Sequence, residues 1–356
     1  GYRRLGNVLG SSFSNNLGRQ EEALQAFEKG LAAVAAARLL EPPSYDSLRA
    51  HSGLLVEAAL AAGGMNRSQE AEQYARQLEA VINEIDTRIP QTPETRSLAA
   101  TNRSQLAMIL SSLKQREKAM ELYRQALAGF ASLPPEEAAR PGNLSQQAFA
   151  HKRLGAILIP QNLAEAEKHY LEALAIDRRL ISLDPDDADQ RYDITFALSD
   201  LGLISRERGN LDASLRYFSE AASIRDGFYA SDPKSVRILY GVTNVHCQLA
   251  NVQARLARFP EARRESVLCE KFARELAALD QRGSSCGRGP MAMLVAAEVA
   301  VEQAARAASA ARGRFSAEAN AVLVRAERES SACPQPFPGF PEKAAGLRKR
   351  LAQLSQ

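Results

Sequence analysis

A leucine followed directly by glycine or alanine recurs along the chain at intervals of 47 or 48 residues. The pairs that share this spacing are Leu106-Ala107, Leu154-Gly155, Leu201-Gly202 and Leu249-Ala250. Leu5-Gly6 lies 101 residues before Leu106, about two periods, so the missing copy falls near Leu55. One period after Leu249 falls near Leu294. A period of this length predicts an array of similar structural units rather than one compact core.

A second pattern follows each Leu-small pair. It occupies the positions 12, 16 and 19 residues after the small residue of the pair. After Ala107 these positions hold Ala119, Tyr123 and Ala126. After Gly202 they hold Ser214, Phe218 and Ala221, and after Ala250 they hold Ala262, Ser266 and Cys269. The set after Gly155 comes one residue early and the set after Gly6 five residues late, because residues 10–14 lengthen the first turn. The small residues let two helices approach closely, and the aromatic ring fills the space beside them. Each unit is therefore predicted to be a helical hairpin.

One hairpin cannot bury its own apolar face, so neighbouring hairpins are expected to stack. The predicted fold is all-α, a right-handed superhelical solenoid of antiparallel helix pairs. The predicted divisions are residues 1–282, an array of about six repeats with a degenerate second copy; 283–333, a degenerate terminal hairpin; and 334–356, a Pro-rich break with a C-terminal capping helix. The chain is rich in Ala and Leu and has no Trp, which favours closely packed helices over sheets.

The predicted last helix has an apolar stripe at helical spacing, formed by Ala344, Leu347, Leu351 and Leu354. Its other side is basic, with Lys343, Arg348, Lys349 and Arg350. One interpretation is a capping helix that covers the open end of the array. The alternative is a basic amphipathic helix that binds an anionic membrane surface.

The Leu-small pair and the small-aromatic-small set resemble the tetratricopeptide repeat (TPR) family over about residues 1–280, although the period exceeds the usual 34 residues of that family. HEAT-like repeats have periods near 40–47 but do not explain this spacing. Residues 2–31, YRRLGNVLGSSFSNNLGRQEEALQAFEKGL, resemble the first repeat of the TPR region of some bacterial serine/threonine protein kinases. That resemblance implies the order kinase domain, transmembrane helix, TPR array.

The chain itself lacks the glycine-rich loop, the HRD motif and the DFG motif of a kinase. The predicted function is therefore a non-catalytic protein-protein interaction scaffold, the sensor or regulatory region of such a kinase. The alternatives are a free-standing cytosolic TPR adaptor and an enzyme with an unrecognised site. The first hypothesis implies the extracytoplasmic side of a bacterial inner membrane, and the adaptor hypothesis implies the cytoplasm.

No motif in the sequence indicates catalysis, a cofactor or a metal. The four histidines, His51, His151, His169 and His246, form no HExxH pattern and are expected at helix surface or core positions. The loop 283–289 lacks the ending of a phosphate-binding loop, and the aspartates at 184–189 lack the Gly and Glu of a calcium loop and fit a turn and helix cap better. A net charge of +3 does not indicate nucleic-acid binding, and no run of 18 apolar residues could span a membrane.

In TPR arrays the first helices line a concave groove, so the resemblance implies that residues flanking each Leu-small pair bind a protein or peptide ligand. The candidates are Arg3, Asn7, Met108, Lys152, Leu203, Arg206, Asn251 and Arg255. The other interpretation of these residues is ordinary solvated surface.

All four cysteines lie in the last third of the chain and lack CxxC spacing, which argues against zinc. Cys247 and Cys269 lie about equally far from the turn near Arg258, and Cys286 and Cys333 lie at the open end of the last hairpin. These placements predict the disulfides 247–269 and 286–333 if the region is exported, with Cα separations of about 4.4–6.8 Å. The alternative is reduced thiols in a cytosolic protein.

Overall fold

The computed structural model describes residues 1–10, 17–40, 42–279, 286–334 and 337–354. Within these ranges the regular structure is helical and no strand occurs, which confirms the predicted all-α fold. The helices are α1 (Tyr2–Gly10), α2 (Gln20–Arg38), α3 (Tyr45–Gly64), α4 (Ser68–Arg88), α5 (Pro93–Ser112), α6 (Arg116–Ala131), α7 (Pro135–Ala138), α8 (Pro141–Leu158), α9 (Leu163–Leu183), α10 (Ala188–Glu207), α11 (Leu211–Ser231), α12 (Val236–Arg255), α13 (Phe259–Leu279), α14 (Arg288–Arg306), α15 (Ser309–Ser331) and α16 (Phe340–Leu354).

The chain divides into two compact units, Gly1–Asp184 and Pro185–Gln356. Unit 1 contains the hairpins α1–α2, α3–α4, α5–α6 and α8–α9, with the short helix α7 before the last of them. Unit 2 contains α10–α11, α12–α13, α14–α15 and the final helix α16. The division into 1–282, 283–333 and 334–356 stays a prediction, and parts of the loop at 283–289 and of the Pro-rich break lie outside the described residues.

Glycine and aromatic residues meet where the sequence pattern predicts. A Cβ atom added to Gly202 would lie 2.8 Å from Cε1 of Phe218, and one added to Gly155 would lie 2.8 Å from Cε2 of Tyr170. Gly6 faces the ring of Phe27 in the same way. A Cβ atom at any of these positions would force the ring to shift, so each glycine matches the close approach of an aromatic ring from the second helix.

Four of the hairpin turns share one left-handed residue. Lys114, Gly209 and Ala257, with φ of 66°, 78° and 60°, each stand seven residues after the small residue of the pair. Asn66, with φ of 61°, occupies this place between α3 and α4. The turn therefore identifies Ala59, which is buried, as the small residue of the degenerate second repeat, whereas the sequence analysis placed this copy near Leu55.

Side chains at the helix starts satisfy exposed backbone N–H groups. Six residues, Ser44, Thr92, Asn162, Asp187, Asn210 and Ser235, each accept a hydrogen bond from the backbone N–H three residues later. Caps of this kind stabilise a helix by about 1 kcal/mol each. The predicted capping role of the 184–189 aspartates is thus confirmed at Asp187.

Within each unit, second helices cover the first helices of the next repeat. In unit 1, Leu78 and Ile82 of α4 share one apolar cluster with Leu106 and Ile109 of α5. In unit 2 the apolar stripe of α16, which is Phe340, Ala344, Leu347 and Leu351, packs against α14 and α15. No helix in the described part of the chain is long and apolar enough to cross a membrane.

Candidate functional site

The first helices of unit 1 bring Arg3, Asn7 and Glu57 together. Arg3 Nη2 lies 3.7 Å from Glu57 Oε1, and the Asn7 side chain hydrogen-bonds the same carboxylate. Burial raises the pKa of Glu57, and the Arg3 charge offsets part of this rise. Oδ1 of Asn7 is buried and has no hydrogen-bond partner among the described residues. The predicted residues Arg3 and Asn7 are therefore neighbours, at a position where α1 meets α3.

The other two candidates of unit 1 are placed differently. Lys152 Nζ lies 2.8 Å from Asp177 Oδ2, across the α8–α9 hairpin, and the Asp177 carboxylate is buried. The Lys152 ammonium group is therefore committed to an ion pair inside its own hairpin. Met108 is half-buried on α5.

In unit 2 the predicted residues lie on two first helices, α10 and α12. Arg206 Nη1 donates a hydrogen bond to Oε1 of Gln248, which joins the two helices. Leu203 is half-buried beside Arg206, Arg255 is exposed, and Oδ1 of Asn251 is buried without a partner among the described residues. We use the name α10–α12 face for the side chains of these two helices that are candidates for ligand contact, which are Phe196, Leu203, Arg206, Gln248, Asn251 and Arg255.

The sequence pattern did not indicate Phe196 or Gln248. Phe196 lies seven residues, or about two helical turns, before Leu203, so the two side chains share a side of α10. The Phe196 side chain is 43% exposed. Aromatic side chains, phenylalanine included, are enriched at protein-protein interfaces. The heptad spacing from Leu203 is the sequence signal that could have found it.

A buried arginine supports the α10–α12 face from beneath. Arg225 of α11 donates from Nε to Thr195 Oγ1 at 3.1 Å and from Nη1 to the carbonyl oxygen of Gly241 at 3.0 Å. Its guanidinium carbon lies 5.9 Å from the centre of the Phe196 ring. Burial lowers the pKa of Arg225. One side chain from the second helix thus ties α10 to α12 and fixes the backbone that presents Phe196.

Two histidine contacts occupy equivalent positions in two hairpins. His151 and His169 join α8 to α9, with their Nδ1 atoms 2.9 Å apart. His246 of α12 contacts Glu265 of α13 through Nδ1 at 2.5 Å, and its Nε2 lies 3.0 Å from Asp226 Oδ1 of α11. His246 is buried, as the sequence analysis allowed, whereas His151 and His169 are half-buried.

The surroundings give these histidines opposite protonation. Burial and the neighbouring His169 lower the pKa of His151 from 6.5 to about 4. Burial also opposes the charge on His246, but hydrogen bonds to Asp226 and Glu265 outweigh it and raise the pKa to about 9. At neutral pH the His151 contact is therefore uncharged, and the His246 contact is a charged bridge among three helices.

The cysteines form two disulfides. Cys247–Cys269 joins α12 to α13 with a Cα separation of 4.9 Å. Cys286–Cys333 joins the residues that flank the α14–α15 hairpin with a Cα separation of 5.8 Å. These are the two pairings that the sequence analysis gave for an exported chain. Within the described ranges, no group of three or more His, Cys, Asp or Glu side chains is placed to hold a metal ion.

Residues 100–130, which include the α5–α6 turn and Tyr123, match the family model described as Tetratricopeptide repeat. A search of curated proteins found no match. The family match therefore rests on one repeat unit, the one whose Leu-small pair is Leu106-Ala107.

Solved structures share the fold at low sequence identity. BtubC (BKLC) from P. vanneervenii is 18% identical with a TM-score of 0.55, over 74% of this chain and 92% of that one. A signal transduction ATPase with numerous domains from Pyrococcus horikoshii, which carries a tetratricopeptide repeat sensor, is 16% identical with a TM-score of 0.54. The match spans 95% of this chain and 44% of that one. Aspartyl phosphate phosphatase F from Bacillus subtilis is 12% identical with a TM-score of 0.50, over 100% of this chain and 88% of that one. The chain therefore has a TPR-like helical repeat fold, which is typical of protein-protein interaction.

Proposed function

We propose that the chain is a non-catalytic interaction scaffold that binds a protein or peptide segment on its first helices. The α10–α12 face is the observation that carries this proposal. It combines an exposed aromatic ring, a cationic residue bridged to an amide, and the buried Oδ1 of Asn251, which has no donor within the described structure. An unsatisfied buried acceptor costs about 1–3 kcal/mol, and this energy would be recovered if the Asn251 amide turned so that Oδ1 accepted a hydrogen bond from a backbone N–H of the ligand.

The ligand that fits this face is an extended or loop segment with an apolar side chain and an acidic group. Phe196 and Leu203 offer apolar contact, and Arg206 and Arg255 offer positive charge on the same side of the unit. Glu207 Oε1 lies 3.0 Å from Arg206 Nη2, so the Glu207 carboxylate partly neutralises the Arg206 charge. Tryptophan, tyrosine and arginine most often dominate the binding energy at such surfaces, and phenylalanine is also enriched there.

A peptide array probed with the purified chain tests the proposal. Binders should lose at least about tenfold in affinity with Phe196→Ala or Asn251→Ala. Arg216→Ala, an exposed residue on the second helix α11, is the matched control and should leave affinity unchanged. If Arg216→Ala weakens binding as much as the other two variants, or if no array peptide binds, the α10–α12 face is not the ligand site.

We further propose that this scaffold is the sensor or regulatory region of a bacterial serine/threonine protein kinase. Two observations support it: the resemblance of residues 2–31, and the two disulfides, which persist in oxidising compartments and are rare in the cytosol. The region would then lie on the extracytoplasmic side of the inner membrane. The chain alone is expected to bind no ATP and to transfer no phosphate.

The coding sequence before Gly1 separates this proposal from a cytosolic adaptor. A kinase domain followed by about 20 apolar residues would support the kinase-linked function. An initiator Met directly before Gly1, together with four titratable thiols in protein isolated from its own cell, would support the adaptor instead. Autophosphorylation by the isolated chain would contradict both.

A further inference from the structure

Helices α8 and α9 place two imidazole rings against each other. Nδ1 of His151 lies 2.9 Å from Nδ1 of His169, and both side chains are half-buried, so water reaches the pair. In the described part of the chain neither Nε2 atom has a hydrogen-bond partner. The hairpin therefore presents two ligating nitrogens from two different helices at one point.

Both rings are neutral at neutral pH. Burial, together with the neighbouring His169, lowers the pKa of His151 to about 4, and burial also lowers the pKa of His169. One Nδ1 therefore carries a hydrogen and donates it to the other, whose lone pair accepts. Metal ions bind neutral imidazole, so no proton has to leave the pair before an ion enters. The single Nδ1 proton moves to Nε2 of its own ring.

The distance between the two nitrogens is that of two neighbouring ligands of one metal ion. A bond of about 2.05 Å from a metal to each imidazole nitrogen, at an angle of about 90°, puts the nitrogens about 2.9 Å apart. An angle of about 109°, as in tetrahedral zinc, requires about 3.3 Å. The observed 2.9 Å thus matches the tetragonal geometry that Cu²⁺ and Ni²⁺ prefer. The ion would lie beside the line between the two atoms, so each ring has to turn about its Cβ–Cγ bond, a torsion with a broad energy minimum.

The other two histidines do not offer nitrogens in this way. His246 contacts Glu265 through Nδ1 and Asp226 through Nε2, so both nitrogens hold protons and neither has a free lone pair. Nδ1 of His51 lies 2.7 Å from Arg38 Nη1, which donates to it. Among the described residues, the pair of free imidazoles is therefore specific to the α8–α9 hairpin.

The charged side chains near the pair balance one another. Glu165 and Glu172 lie within electrostatic reach of His169, as do Lys168 and Arg124. Glu165 Oε1 and Arg124 Nη2 are 3.0 Å apart and form an ion pair. Glu172 is exposed one helical turn after His169 and offsets Lys168. A divalent ion at the two nitrogens thus meets no net positive charge from these four neighbours.

We propose that His151 and His169 bind one divalent ion of a late transition metal, Cu²⁺ or Ni²⁺, with water in its other coordination positions. The site does not depend on ligand binding at the α10–α12 face. Cu²⁺ should bind more tightly than Ni²⁺, following the usual order of affinity for nitrogen ligands. Mg²⁺, which prefers oxygen ligands, should not bind. Because the two nitrogens come from two helices, the ion joins α8 to α9 and stabilises the folded chain.

Calorimetric titration of the full chain without an affinity tag, with CuCl₂ or NiCl₂ in a buffer free of chelators, tests the proposal. One ion should bind per chain. His151→Asn and His169→Asn should each weaken the affinity at least about tenfold, because even the outer-shell partners of metal ligands are worth this much. His51→Asn removes a histidine outside the pair and is the matched control, which should bind the ions like the unmodified chain.

A substitution at a half-buried position lowers stability by itself, so a second measurement compares each variant with itself. Saturating Ni²⁺ should raise the melting temperature of the unmodified chain and of His51→Asn, and should leave those of His151→Asn and His169→Asn unchanged. Any stability lost through the substitution cancels in this comparison. The proposal is wrong if neither ion binds, if either variant of the pair keeps the affinity of the unmodified chain, or if Ni²⁺ raises the melting temperature of all variants alike.

Discussion

At the residue scale, a single glycine allows the close approach of the two helices in the α8–α9 hairpin and in the α10–α11 hairpin. Gly155 and Gly202 each lie under an aromatic ring whose nearest carbon leaves no room for a Cβ atom. Tyr170 and Phe218 are fully buried in this position and cannot move out without opening the hairpin. In α12–α13 the aromatic position is Ser266, and a disulfide between Cys247 and Cys269 joins the same two helices instead.

Replacing Gly202 with Leu tests this contact. The added side chain would overpack the site against Phe218, and the free energy of unfolding should fall by about 1–3 kcal/mol or more. Gly227 on α11 is the matched control, because nothing lies within 4 Å of a Cβ added there. Gly227→Leu should instead stabilise by about 0.5–1 kcal/mol, since glycine is a poor helix former. Urea denaturation of both variants measures the difference, and equal effects would contradict the predicted packing.

The two histidine contacts predict opposite responses to pH. The folded-state pKa of His246 is raised to about 9, so its stabilising contribution is complete below 6.5 and is lost as pH rises through about 9. The folded-state pKa of His151 is lowered to about 4, so its contribution is present above 6.5 and is lost as pH falls toward 4.

His246→Gln should therefore lower the free energy of unfolding by about 1–3 kcal/mol at pH 7, the value of hydrogen bonds to charged groups. The loss should shrink above pH 9. His151→Gln should instead make the chain less sensitive to acid between pH 6.5 and 4. Urea midpoints measured across this range for the two variants provide the check, and parallel pH profiles for both would refute the assigned protonation states.

At the scale of elements, four hairpin turns are alike in geometry but not in residue type, with Asn66, Lys114, Gly209 or Ala257 in the left-handed conformation. Gly209 adopts left-handed backbone without cost, whereas Ala257 and Lys114 adopt it with a Cβ atom, which costs about 1–2 kcal/mol. In the α8–α9 hairpin the second helix begins eight residues after the small residue Gly155, one fewer than in α5–α6, α10–α11 and α12–α13, and Asn162, which caps α9, has φ of −150°. This difference explains why the aromatic residue of that hairpin stands one position early in the sequence.

Ala257→Gly should raise the free energy of unfolding by about 0.5 kcal/mol, because relief of the left-handed strain exceeds the added freedom of the unfolded chain. Gly209→Ala at the equivalent turn should lower it by about 1 kcal/mol. Thermal or urea melts of the pair measure the two effects. The same sign for both variants would show that the two turns do not have the common geometry described above.

At the scale of the whole molecule, stability in a repeat protein is a sum of local hairpin and nearest-neighbour terms. Unit 2 ends with α16, whose Leu347 and Phe340 are buried against α14 and α15. Unit 1 has its own cluster across α3 to α6, which includes Leu78. The two clusters share no residue, so a substitution that destabilises one cluster should not directly destabilise the other.

Leu347→Ala should destabilise by about 2–5 kcal/mol, the usual cost of a cavity at a buried leucine. Amide hydrogen exchange should accelerate in α14 to α16 and stay unchanged in α3 to α6. Leu78→Ala is the reciprocal control and should reverse this pattern. Faster exchange throughout the chain in either variant would show that the molecule unfolds as a single cooperative unit.

The sequence by itself determined the hairpin and its repetition. The small residue of the pair and its aromatic partner are about 16 positions apart and meet across one turn, so their spacing along the chain dictates their contact in space. The same logic placed both cysteine pairs, because each pair is symmetric about the turn of a hairpin. It failed in the second repeat, where Ala59 and Ala75 replace the recognisable pair and its aromatic, and only the turn at Asn66 revealed the register.

Only the tertiary structure decided which side chains share a surface. Glu57 joins Arg3 and Asn7, and Gln248 joins Arg206, because neighbouring first helices pack at a particular height and rotation that repeat spacing does not specify. Packing inside the α8–α9 hairpin likewise turned Lys152 toward Asp177 instead of solvent. A burial pattern recurs at 47–48 residues because backbone geometry recurs, whereas the partner of each polar side chain depends on which residue the adjacent helix presents at that point.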